Sequence, residues 1–107
     1  MPLYMIQASY SAQATASMVK NPQDRAAAVR PMIERMGGKL LDLWLCFGDY
    51  DIVAIAEVPD NVTAAAMAMA IGSSGAMTAY RTTPLLTSAE GKKAMKKAGG
   101  VGYQAPK

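Results

Sequence analysis

The sequence predicts an α+β fold, and three observations predict it. Strand and helix patterns follow one another in the order β-α-β-β-α-β. A Gly-Asp-Tyr-Asp turn, residues 48–51, joins the two middle strand patterns. At 107 residues the chain is long enough for one hydrophobic core and too short for two. Half of the residues are apolar (51%), so such a core can be filled, with alanine and methionine carrying much of the load.

Residues 3–10 read as the first strand, with Tyr4, Ile6, Ala8 and Tyr10 on one side and Met5, Gln7 and Ser9 on the other. Ser11 is placed to cap a helical turn running through Met18 and Val19. A stronger helix start follows: Asn21 is a good N-cap, Pro22 suits the first helical position, and Asp24 favours the positive end. Val29, Met32, Ile33 and Met36 then mark one helix face. Pro31 removes a backbone hydrogen bond and is expected to bend that helix near Ala27. Gly37-Gly38 ends it.

Residues 39–47 give the clearest strand, Leu41, Leu43, Leu45 and Phe47 alternating with Leu40, Asp42, Trp44 and Cys46. The turn at 48–51 returns the chain through Ile52–Val58, making residues 39–58 a β-hairpin that Pro59 ends. Asp60 or Asn61 caps the next helix, whose buried face is expected at Val62, Ala65, Ala66, Met69 and Ala70. Residues 72–75 close it, 76–83 form the last strand, and Pro84 stops that strand or marks an edge. Thr87 or Ser88 caps a short helix reaching about Ala98, and the glycines after it read as coil. Residues 1–88 are thus expected to form a ferredoxin-like sandwich with a four-stranded antiparallel sheet, and 89–107 a basic C-terminal helix and tail.

Helices cover only one face of such a sheet. If Leu41, Leu43 and Leu45 face them, the open face carries Trp44 and Cys46, joined either by Val53 and Ile55 or by Ile52, Ala54 and Ala56. Either set leaves an apolar patch that monomers rarely expose. The expectation is a homodimer or a higher oligomer built from it, with the sheets packed face to face. The competing possibility is a monomer whose C-terminal segment folds back over the sheet.

Composition narrows the chemistry. With one cysteine, Cys46, no internal disulfide forms, and with no histidine the usual metal sites and the commonest general base are missing. No metal and no cofactor are expected. A lone thiol suits a reducing compartment, and Met1-Pro2-Leu3-Tyr4 begins neither a basic nor an apolar leader region. No apolar run approaches a membrane span. The expected location is the cytoplasm, with no membrane partner. The net charge of +3 resolves into a tail after Ala89 of five lysines and one glutamate, 5 − 1 = +4, and a body of 6 − 7 = −1. Nucleic-acid binding modules carry their basic face on the folded body, so no nucleic-acid partner is expected.

Candidate site residues are few. Tyr50 and Asp51 could form a hydrogen-bonding pair at a pocket mouth, or Gly48, Tyr50 and Asp51 could serve only to build the turn. Asp42 and Trp44 share a strand face with Cys46, while Glu57 and Arg81 lie on neighbouring strands. A carboxylate and a guanidinium facing an apolar space could hold a small hydrophobic or anionic ligand; edge charges in solvent explain them equally. Cys46 has no base beside it and reads as inert, and Arg25 and Arg30 read as a solvated helix face that could hold a phosphate.

The segment Gly48-Asp49-Tyr50-Asp51, continued through Asp60, resembles the signature of the GYD-domain proteins. Asn21–Pro31, the Met36–Leu40 junction, Pro59–Val62 and Thr82–Thr87 extend the likeness over nearly the whole chain. The resemblance implies the dimeric α+β barrel group, in which two ferredoxin-like sheets face each other, and a family of no assigned activity. The wider group includes cofactor-independent monooxygenases, haem-degrading enzymes, chlorite dismutases and ligand-sensing domains, so the fold does not select a reaction. Haem-dependent relatives generally hold iron through histidine, which this chain lacks. Two function classes stand: a homo-oligomeric small-molecule-binding or assembly module, and a cofactor-independent oxygenase or isomerase acting on a small hydrophobic compound.

Overall fold

The computed structural model describes residues 1–107. Its elements are β1 (Leu3–Tyr10), α1 (Ala12–Lys20), α2 (Arg25–Arg35), β2 (Lys39–Leu45), β3 (Ile52–Glu57), α3 (Asn61–Ser73), β4 (Met77–Leu85) and α4 (Ser88–Ala98). The four strands form one antiparallel sheet in the order β2-β3-β1-β4, the ferredoxin-like arrangement.

Local chemistry sets the boundaries. The Ser11 side chain accepts from the Ala14 N–H and starts α1, whose last turn ends on Asn21. Asn21 therefore closes one helix instead of opening the next. Asp24 is the cap of α2, accepting from the Ala27 N–H at 3.2 Å, and Pro22 lies outside the helix. α2 runs unbroken through Pro31; Ala27, whose carbonyl loses its donor there, is exposed to water. Asp60 caps α3 through the Thr63 N–H, and that bond holds its carboxyl below the usual range. Thr87 and Glu90 form a reciprocal capping box on α4, which likewise holds the Glu90 carboxyl low.

Strict alternation on β1 and β3 sends Tyr4, Ile6, Ala8 and Tyr10 and then Ile52, Ala54 and Ala56 into the helix layer. Val53 and Ile55 are thus the pair on the open face. Ile33 of α2 and Ala64 and Met67 of α3 close the main core over them with Leu40 and Val58. Two expected faces shift. β2 carries a register break between Leu40 and Asp42, so Leu41 is an extra residue and Leu40, not Leu41, enters the core. Leu43 stays on the helix side, Leu45 is largely exposed, and Phe47 falls beyond the strand, 97% exposed. On α3 the buried residues are Ala64 and Met67, with Ile71 packed behind them, while Val62 is 79% exposed and Met69 also points outward. That helix is apolar all round, so its pattern does not select a face.

β4 is the edge strand that Pro84 marks, and it continues past Pro84 to Leu85, opposite Leu3. α4 buries none of its residues and does not fold back over the sheet. The chain is correspondingly extended, 56 Å in its longest dimension, with a radius of gyration of 17.0 Å against about 13 Å for a compact domain of this length.

Gly38 is where α2 and β2 meet. A methyl group there would stand 2.5 Å from the Glu57 carbonyl and 3.1 Å from the Ile33 side chain. Gly38→Ala is expected to lower stability by about 1–3 kcal/mol in urea unfolding, because backbone must move. Gly91→Ala, with open space around it inside α4, is expected to raise helicity at 222 nm and to leave the midpoint unchanged or higher.

Candidate functional site

Three regions come out of this framework: the turn at 48–51, the open sheet face, and a cavity between the layers.

The turn is a fastening. Gly48 takes a φ of +146°, which a side chain would disfavour. Asp51 then engages three neighbouring backbone groups. Its carbonyl accepts from the Cys46 N–H at 2.8 Å, its own N–H donates to the Ala8 carbonyl at 2.9 Å, and its Oδ2 accepts from the Tyr10 N–H at 2.9 Å. The β1–β3 pairing ends at Ala8–Ile52 while β1 runs on to Tyr10, and the Asp51 carboxylate supplies the acceptor that the Tyr10 amide needs on the β3 side. The Ser9 hydroxyl adds a bond to the Asp49 carbonyl, and the Cys46 thiol donates to the Tyr50 carbonyl. Tyr50 is half-buried. Neither Tyr50 nor Asp51 lines the cavity described below.

The open face gathers the other sequence-predicted residues without making them converge. Opposed residues share a face, so Asp42, Ile55, Met5 and Thr83 form one row across the sheet and Trp44, Val53, Gln7 and Arg81 the next. Glu57 lies a row further on, between Lys39 and Leu3. Asp42 and Trp44 are on the β2 edge and Arg81 on the β4 edge, three strand spacings or about 14 Å apart. Within one chain they do not enclose a ligand. Trp44 is 49% exposed, at the rim of a patch whose centre is Val53, Ile55 and Met5.

A concave, partly open space lies on the other side of the sheet. A cavity of about 290 Å³ lies between the helices and the strands, and only Arg25 and Ser74 among its lining residues are not hydrophobic. Its lining is small at Ala8 and Ala54, buried on the strands, and at Ala28 and Ala70, exposed on the helices where the cavity opens to solvent. Three polar atoms are buried in its wall without any partner: the Tyr10 hydroxyl, the Tyr80 hydroxyl and the Arg25 Nε. Tyr80 pairs with Ala8, one residue pair along from the Ser9–Tyr10 step where the β1–β4 register shifts, so the two phenols are near neighbours on one face. Burial pushes the Tyr80 hydroxyl up to about 12; Thr82 offsets part of this without a hydrogen bond of ordinary geometry.

Sequence reasoning did not put these residues together. Tyr10 reads as one more core aromatic, and Arg25 as a solvated helix residue. The available signal was the pair of alanines at inward strand positions, Ala8 and Ala54, which cannot fill the space beside two tyrosines.

Element order and sheet order define a ferredoxin-like α+β protein. A model of the GYD domain matches residues 4–95, and the chain belongs to that family. No curated protein and no solved structure matches it.

A raised Tyr80 has a pH signature. The unfolded phenol ionises near 10 and the folded one near 12, so the folded state holds the extra proton between them. The contribution of Tyr80 to stability is complete below about pH 10 and declines as pH rises toward about 12. Urea midpoints of the wild type are expected to fall more steeply over that interval than those of Tyr80→Phe; parallel curves would contradict the burial of this hydroxyl.

Proposed function

We propose that this GYD-domain protein is a homo-oligomeric small-molecule-binding module. The cavity carries the reading: a space of about 290 Å³, at the low end for ligand pockets, lined by apolar side chains and by three polar atoms that the fold leaves unpartnered. The fold does satisfy such groups elsewhere, since the Tyr4 hydroxyl donates to Asn61. Leaving a buried polar group unpaired costs about 1–3 kcal/mol. A ligand that accepts from these groups recovers that cost.

Assembly is proposed through the open sheet face. Its apolar centre has no cover, since α4 buries none of its residues and does not fold back over the sheet. A two-fold axis along the strands would set β2 of one copy against β4 of the other. Trp44 would then lie across from Arg81 of the partner subunit, a cation–π pairing that makes the face self-complementary.

The second reading, a cofactor-independent oxygenase or isomerase, needs a base beside the substrate. The cavity wall offers donors instead: it holds no carboxylate, and Tyr80 remains protonated at neutral pH. Nothing in the wall favours this reading over binding. No helix is long and apolar enough to cross a membrane. An exposed, unpaired Cys46 suits the cytoplasm as the proposed compartment. No nucleic-acid or membrane partner is proposed, because the lysines gather on α4 and not on the folded body.

Native mass spectrometry of protein purified without denaturation is expected to give a dimer or a higher even oligomer carrying a reproducible extra mass. Trp44→Glu is expected to shift that oligomer toward monomer. A wild-type monomer would refute the assembly reading. An oligomer that stays bare even after incubation with cell extract would count against the binding reading.

A further inference from the structure

The chemistry of the cavity wall specifies more than the presence of a ligand. All three unpartnered atoms are donors at neutral pH: two phenol hydroxyls and a guanidinium N–H. No wall residue offers a free side-chain carboxylate or amide oxygen to a ligand's own donors. The phenols can also accept, but the guanidinium N–H can only donate, so an occupant that meets it is an acceptor at one end and apolar elsewhere.

The charge of Arg25 decides what kind of acceptor. Its Nη1 donates to Gln23 Oε1 at 2.7 Å, a neutral partner that leaves the positive charge uncompensated. Asp24, next to it in sequence, and Asp51, which binds the Tyr10 backbone, are both engaged elsewhere. Asp24 accepts from the Ala27 N–H and Asp51 from the Tyr10 N–H, and neither lines the cavity. Arg25 is partly buried: its bond to Gln23 lies at the surface, its Nε is out of solvent, and the residue lines the cavity, so a charge-assisted hydrogen bond from it favours an anion over a neutral acceptor.

The three donors also lie toward the same end of the molecule. The far end of α2 meets the start of β2, where Ile33 packs with Leu40 and the Arg30 guanidinium donates to the Leu40 carbonyl. Arg25, at the opposite end of α2, lies toward the other end of the sheet, where β1 finishes at Tyr10 and β4 begins at Met77. The remaining wall, including Ile6, Ile33, Met67 and Ile71, is apolar.

Resting on the small-molecule-binding reading above, we infer that the cavity takes a compact hydrophobic carboxylate. Its carboxylate accepts from Arg25, Tyr10 and Tyr80, and its body, of the size of one aromatic or branched aliphatic group, lies among Ile33, Met67 and Ile71. This is a ligand site distinct from the open sheet face, and Trp44, Asp42 and Arg81 take no part in it.

The test uses the full chain and three probes of nearly one shape: benzoate, the neutral amide benzamide, and toluene. Binding is read by chemical-shift titration of the protein amides. Benzoate is expected to bind at least about tenfold more tightly than either neutral probe, shifting amides around Ala8, Ala28 and Tyr80. Arg25→Met, which keeps the stem and removes the charge, is expected to weaken benzoate about tenfold or more and to leave toluene unchanged. Tyr80→Phe is expected to weaken benzoate by a smaller factor. Arg25→Lys, as the conservative partner, should keep part of the preference and reports that the helix start has not been disturbed. Equal binding of benzoate and toluene in the wild type, or equal weakening of both by Arg25→Met, would overturn the carboxylate while leaving a hydrophobic pocket in place. Failure of all three probes to shift any wall residue would overturn the cavity as a binding site altogether.

Discussion

The carboxylate of Asp51 accepting the Tyr10 amide is the contact on which the geometry of this molecule turns. β1 is a central strand, hydrogen-bonded on both sides, and it runs on to Tyr10 after its pairing with β3 has ended at Ala8–Ile52. That overhang leaves the Tyr10 N–H, on the β3 side, in need of an acceptor in a half-buried place, where going without is expensive. Asp51 provides it from the opposite hairpin, while its own N–H and carbonyl join the turn to Ala8 and to Cys46. One residue thereby ties the end of β1 to the β2–β3 connection. The consequence lies on the other side of the sheet: Tyr10 is held 9% exposed with its ring toward the helices, its hydroxyl in the cavity wall.

The two faces of the sheet have been built for different work. On the helix side the packing is deliberately incomplete in one place. Leu40, Ile33, Val58 and Met67 are fully buried, and Ile33 and Met67 also line the cavity. Toward Tyr10 and Tyr80 the facing residues shrink to alanine, and a void opens beside groups that seek hydrogen bonds. On the open side the apolar residues of β1 and β3 lie between Asp42 and Trp44 on one sheet edge and Arg81 on the other. A dimer formed there would leave the cavities of both copies in place, since they lie on the far side of each sheet.

Much of the fold was legible because strands announce themselves by alternation and helices by their caps. β1 and β3 alternate without interruption, and their burial follows residue by residue. Asp60 and Thr87, each one of two cap candidates in the sequence, are the caps of α3 and α4. Legibility failed where alternation or amphipathicity failed. The extra residue at Leu41 reverses the face of everything before it, and nothing in a run of leucines marks which one is surplus. α3 is built from alanine and methionine on all sides, so any face could have been the buried one. At the site, the Gly-Asp-Tyr-Asp motif drew attention to Tyr50 and Asp51 themselves, whereas its effect is exerted through Tyr10, forty-one residues away in sequence. The cavity was invisible for a related reason: its strand wall is small at Ala8 and Ala54, and an alanine in a pattern reads simply as core.

Amide hydrogen exchange at Tyr10 examines the link between the family motif and the cavity. If Asp51 holds β1 in this way, Asp51→Ala will speed exchange of the Tyr10 N–H by about tenfold or more. Asp51→Asn, which retains an acceptor oxygen, will protect it, and the amides of Ile6 and Ala54 in the sheet centre will be unaffected by either change. Unaltered protection of Tyr10 in Asp51→Ala would mean that the turn does not govern the end of β1, and the cavity would then owe nothing to the motif that defines the family.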